Sequence, residues 1–84
     1  MNFRDKINKI VATIPKGKTM TYKEVATKAG HPGASRAVGN LMSKNFDLNI
    51  PCHRVIRSDG KIGNYNRGGS KAKLTLLKSE GAIN

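Results

Sequence analysis

Two breaks decide what the first half of this chain can become. Pro15-Lys16-Gly17 and Gly30-His31-Pro32-Gly33 each join a residue that cannot continue a helix to one that accepts the left-handed turn ending it. Around those breaks the apolar residues recur at helical spacing. Phe3, Ile7, Ile10, Val11 and Ile14 make one face of a helix that begins at Asn2, a good N-cap, and runs to Ile14. Thr21 and Glu24 stand at capping-box spacing, and Tyr22, Val25, Ala26 and Ala29 share a face of the helix that follows. A third helix is expected from about Ala34 to Lys44, with Ala37, Val38, Leu41 and Met42 turned inward.

Two short helices joined by a tight glycine-containing turn fit a helix-turn-helix and a plain helical hairpin equally well. Charge tips the choice. Sixteen Lys and Arg stand against five acids, a formal net charge of +11 on 84 residues, which is a large footprint for a polyanion. Nucleic acid fits best. No helix combines a broad apolar face with a basic one strongly enough for an anionic membrane. A solvated lysine coat serving solubility alone is the plain alternative.

The length allows one domain, residues 1–84. A single cysteine cannot close an internal disulfide, so the fold rests on packing, and a free thiol fits a reducing compartment such as the cytoplasm. No apolar run is long enough to span a bilayer, and the charged N-terminus lacks the core of a signal peptide.

The second half is less regular. Phe46 to Ile50 leads to the cysteine. Val55 to Arg57 and Lys61-Ile62-Gly63 flank Ser58-Asp59-Gly60, a turn of the hairpin type. Asn64 to Gly69 reads as a polar loop. A last helix begins near Ser70, turns Ala72, Leu74, Leu76 and Leu77 inward, and stops at Gly81. The expectation is a mainly α, small winged-helix-like or helix-turn-helix domain with a short hairpin after the cysteine.

Cys52, the only cysteine, lies in Ile50-Pro51-Cys52-His53-Arg54-Val55-Ile56. The thiolate is the reactive form, and cationic neighbours favour it. Pro51 suits the first position of a helical turn, where free N–H groups and the helix dipole also favour negative charge. One Cys and two His lack the ligand count and spacing of a structural zinc site, and His31 reads as a turn residue. No metal or cofactor is expected.

The run Pro51 to Ile56 resembles the active-site signature of the O6-alkylguanine-DNA alkyltransferases. Other matches follow in order: Thr21 to Ala26, Ser35 to Asn40, Gly63-Asn64-Tyr65, Gly68-Gly69 and Leu76 to Gly81. The resemblance covers essentially the whole chain, as that family's C-terminal DNA-binding and catalytic domain without the N-terminal one. The family's zinc, where present, belongs to that other domain.

The resemblance implies an irreversible, single-turnover transfer of an alkyl group, such as methyl, from O6-alkylguanine in double-stranded DNA to Cys52. The chain would act as a monomer in the cytoplasm. His53 is implied as the base, acting through a water, and Glu80 as the carboxylate that holds its ring, a nucleophile–base–carboxylate logic. Glu80 is otherwise a surface acid at a helix end, where the dipole disfavours an anion.

Arg36 is implied to fill the base stack after a nucleotide flips out, or else is one more phosphate contact. Flipping is needed because a thiol cannot reach O6 inside a duplex. The small residues Ala37 and Gly39 would permit close approach to the minor groove. Tyr22 is implied to rotate the target nucleotide's phosphate and touch the flipped base, and its helical face also suits a core aromatic. Asn45 would tie the recognition helix to the cysteine segment, or cap that helix. Tyr65 would wall the pocket, Met42 pack beneath, and backbone groups around Val55 read the guanine edge. The family places one residue between the tyrosine and the glycine pair; here Asn66 and Arg67 make two, and one of them would donate to O6. A non-enzymatic alkyltransferase-like sensor, which flips the lesion and recruits other factors, is the alternative; such proteins typically lack the cysteine.

Overall fold

The computed structural model describes every residue except Met1, Leu48, Gly60, Lys61, Asn64, Asn66, Arg67 and Asn84. Among the described residues the order is α1 (Phe3–Ala12), β1 (Met20–Thr21), α2 (Tyr22–Lys28), α3 (Ser35–Ser43), a single 3-10 turn (Cys52–Arg54), β2 (Val55–Ile56) and α4 (Gly69–Ser79). The mainly helical class follows from the breaks and caps. Asn2 Oδ1 accepts from the Asp5 N–H at 2.8 Å. Thr21 and Glu24 close both halves of a capping box, at 3.0 and 3.1 Å. After α2 the backbone N–H groups of Gly30 and His31 bond back to Thr27 and Ala26, so the chain turns at once into α3. His31 sits in that turn with its ring edge-on to Phe3, centroids 5.4 Å apart.

The α2–α3 pair and α1 enclose the core. Ile7, Val11, Val25 and Val38 are fully buried there, with Ile14, Ala26 and Met42 nearly so. Cys52 and Val55 complete the same cluster. Hence the reactive-residue candidate is part of the packing and not an appendage to it.

The strand after the cysteine finds a different partner from the one expected. Val55 and Ile56 pair in parallel with Met20 and Thr21, in the register Met20↔Val55 and Thr21↔Ile56. The turn residues Gly60 and Lys61 lie outside the described residues, and no hairpin pairing of β2 is seen among the described ones. A parallel pair needs a long crossover, and α2, α3 and the cysteine turn supply it. Pro51 flanks the 3-10 turn as its N-cap residue, one position earlier than expected.

Two inward assignments also change. Ala37 is exposed, next to the exposed Arg36, because the buried stripe of α3 runs through Val38 and Met42 four residues apart. Its small side chain is therefore on the surface, where it leaves room for a partner. On α4 the stripe is Lys73 and Leu77. Leu76, one step of about 100° round the helix, is 36% exposed, whereas Lys73 is only 1% exposed. Apolar periodicity misplaces α4 because a lysine occupies the central core-facing position.

Candidate active site

Cys52 opens the 3-10 turn and is 3% exposed. It lines a cavity of about 380 Å³ together with Tyr22, Met42, Arg57, Gly63 and Tyr65, a volume within the range of small-molecule sites. Met42 and Tyr65 both line it, and the Tyr65 ring stands edge-on to His53 at 6.2 Å.

His53 follows Cys52 in the turn and points to the end of α4. Its Nε2 lies 2.9 Å from Glu80 Oε2, which leaves Nδ1 as the ring nitrogen not engaged by the carboxylate. Glu80 is the residue that caps the C-terminus of α4. Gly81 takes φ +76° just beyond it, and the Gly81 and Ala82 N–H groups bond back to Lys78 and Leu77. A side chain at Gly81 would strain that left-handed turn, so a glycine sets where Glu80 stands.

The third member of this cluster was not foreseen. Arg54 donates from Nε to Glu80 Oε1 at 2.9 Å and from Nη2 to Glu80 Oε2 at 2.8 Å. Its Nη1 donates to the Ile14 carbonyl at 2.9 Å. Side-chain exposure is 17% for Arg54 and 9% for Glu80, so the pair is largely screened from water. The Arg54 hydrogen bonds, followed by those of His53, hold the Glu80 carboxyl at a pKa of about 2 against the opposing effect of burial. Glu80 in turn raises the Arg54 guanidinium above its ordinary value. The carboxylate that the dipole disfavours is thus stabilised by a two-point guanidinium contact.

Lys73 is the second unforeseen residue. Its Nζ lies 3.4 Å from Tyr22 Oη and 5.6 Å from the centre of the Tyr22 ring. Burial lowers its pKa to about 8, while negative charge on Cys52 pulls the other way. Tyr22 is pushed above its usual pKa, first by burial and then by Cys52, with Arg57 opposing. Tyr22, Cys52 and Lys73 therefore feel one another electrostatically. No composition signal marks Lys73 among so many lysines; only its place one turn from Leu77 does.

The remaining expectations fall in two places. Asn45 donates from Nδ2 to the Ile50 carbonyl at 3.1 Å, linking the end of α3 to the approach to Pro51; Lys44, not Asn45, is the C-cap. Val55 is fully buried and paired with Met20, and its N–H donates to the Cys52 carbonyl. Arg36 stands apart from the cavity. It lines an adjoining groove with Ser35, Asn40 and Asp59. Asn66 and Arg67 lie outside the described residues. Among the described residues no three of His, Cys, Asp and Glu could hold a metal ion, and no helix is long and apolar enough to cross a membrane.

Residues 2–82 match the family model described as 6-O-methylguanine DNA methyltransferase, DNA binding domain. A methylated-DNA–protein-cysteine methyltransferase of Methanothermobacter thermautotrophicus is 49% identical over 80 residues, 94% of this chain and 44% of the relative. The crystal structure of Mycobacterium tuberculosis OGT in complex with DNA superposes with a TM-score of 0.87 at 42% identity, covering 95% of this chain and 49% of that one. S. pombe Atl1, in complex with damaged DNA containing O6-carboxymethylguanine, gives a TM-score of 0.83 at 34% identity, covering 94% and 75%. The chain spans about half the length of the methyltransferases it matches.

Proposed function

The chain belongs to the family described as 6-O-methylguanine DNA methyltransferase, DNA binding domain, and from that premise we propose that it repairs O6-alkylguanine in duplex DNA by taking the alkyl group onto Cys52. The carrying observation is that Cys52 lines the cavity and is followed in the same turn by His53, whose Nε2 lies 2.9 Å from Glu80. Cys52 Sγ forms the new bond to the alkyl carbon, and the bond from that carbon to O6 breaks. The electron pair leaves on guanine, which takes up a proton. The thiol's proton passes to His53 through a water, and Glu80 holds the imidazole so that it can accept it. A thioether is not reducible like a disulfide, so each molecule acts once.

In this reading α3 meets the duplex, Arg36 fills the vacated stack, and the nucleotide rotates past Tyr22 into the cavity. Asn45 steadies the segment before Pro51, and Tyr65 and Met42 bound the base. Guanine is read by backbone groups around Val55, with Asn66 or Arg67 donating to O6. The free thiol and the small single domain suit a monomer in the cytoplasm.

A non-enzymatic sensor of alkylated guanine is the second reading, favoured by the likeness to Atl1 and opposed by Cys52. Intact mass after incubation with an O6-methylguanine duplex separates them. Gain of one methyl group per chain, mapped to Cys52, is the expected result. An unmodified chain that still binds the lesion would establish the sensor.

A further inference from the structure

The cavity in front of Cys52 and the groove beside Arg36 share a rim. Tyr22, Gly39, Asn40 and Arg57 line both, whereas Cys52 and Tyr65 belong to the first alone and Ser35 and Arg36 to the second. If the base enters the cavity and the duplex stays at Arg36, the sugar-phosphate joining them must cross that rim. Among the described residues there, Arg57 is the cation. We propose that Arg57 clamps the phosphate linkage that carries the rotated nucleotide, and that Asp59 holds its guanidinium until DNA arrives. This rests on the flipping reading above.

Two further observations support it. The stem of Arg57 passes close to the Gly63 backbone, since a methyl group on Gly63 would lie 3.3 Å from Arg57 Cγ and 3.5 Å from Tyr22 Oη. The Arg57 side chain is half exposed, 52%, and its Nη2 meets Asp59 Oδ2 at 2.8 Å. An exposed pair of this kind is worth little, so a phosphate, which accepts the same planar fork, can replace the carboxylate at small cost. Arg57 and Asp59 lie within the Val55–Gly63 stretch that would otherwise be read only as a surface turn.

The test is a coupling measurement on binding, made with the full chain carrying Cys52→Ser so that no transfer occurs. Affinity for an O6-methylguanine duplex is measured with native backbone and with a neutral methylphosphonate at the linkage either 5′ or 3′ of the lesion. Arg57→Met is expected to weaken native binding about tenfold, the scale of one charge-assisted contact, and to lower the salt slope by about one. At one of the two linkages the methylphosphonate should cost the parent about tenfold and cost Arg57→Met nothing further. If the two losses multiply at both linkages, or Arg57→Met leaves native affinity and salt slope unchanged, the clamp is wrong. Methyl transfer by the unsubstituted chain tests the repair reading separately, so one can fail without the other.

Discussion

Arg54 and Glu80 meet at two points, Nε on Oε1 at 2.9 Å and Nη2 on Oε2 at 2.8 Å, on the same carboxylate that His53 contacts. One acid thus orients the proposed base and also anchors the cysteine turn to α4. Glu80→Gln should therefore lose stability, by about 3 kcal/mol, because a largely buried guanidinium is left without its counter-charge. Urea unfolding measures this. A loss below a few tenths of a kcal/mol, the scale of an exposed pair, would show that the contact is incidental.

Chemistry is better isolated at His53, because His53→Ala leaves the Arg54–Glu80 pair in place. Single-turnover transfer should slow by roughly a hundredfold, the scale for losing a positioned base. Where both variants remain folded, adding Glu80→Gln should slow it little more, since the two act as one unit. Defects that multiply would separate them.

Acid stability follows from the depressed Glu80 carboxyl. Its folded pKa is about 2 against an ordinary 4.5, so the unfolded chain binds the proton first. The stability it contributes is present above pH 4.5 and is lost as pH falls toward 2. Denaturation midpoints between those limits should fall less steeply in Glu80→Gln than in the parent.

Lys73 predicts a slope of the same sign in a second window, at high pH. Its folded pKa, about 8, lies below the ordinary 10.5, so between those values the unfolded chain binds more protons and stability rises with pH. Lys73→Met should remove that rise, read as the thermal midpoint from pH 8 to 10. It should also slow alkyl transfer at pH 7 while leaving duplex affinity close to that of the parent. Unchanged transfer would make Lys73 a packing residue only.

Arg36 distinguishes flipping from simple phosphate contact. Arg36→Ala should slow single-turnover repair strongly in a paired duplex and much less when the lesion is in single-stranded DNA, where no stack needs filling. An equal defect on both substrates would show an ordinary phosphate contact.

Much of this molecule is legible in its sequence, for local reasons. The Thr21–Glu24 box, the breaks at Pro15 and Gly30 and the run around Cys52 act over a few residues, so their signals survive without the fold. The contact of His53 with Glu80 spans 27 positions and was reached only through resemblance. What escaped depends on tertiary placement. The sequence around Val55 offers a nearby turn, yet the strand pairs with Met20 and Thr21 across 35 positions. Lys73 looks like any surface lysine until Leu77 fixes its face inward. Arg54 reads as a cation near the thiol, yet its guanidinium is spent on Glu80 and Ile14.

The parallel pairing of Met20–Thr21 with Val55–Ile56 also has a mechanical meaning. Tyr22 begins one residue after the first strand, and Cys52 stands three residues before the second. Backbone hydrogen bonds therefore rivet the start of the α2–α3 pair to the cysteine turn. A push on the helices is transmitted to the sulfur as a common translation, with little change in the gap between Tyr22 and Cys52. On the flipping reading proposed above, the molecule would meet damaged and undamaged DNA with one preset jaw width, and the nucleotide would be the partner that has to move.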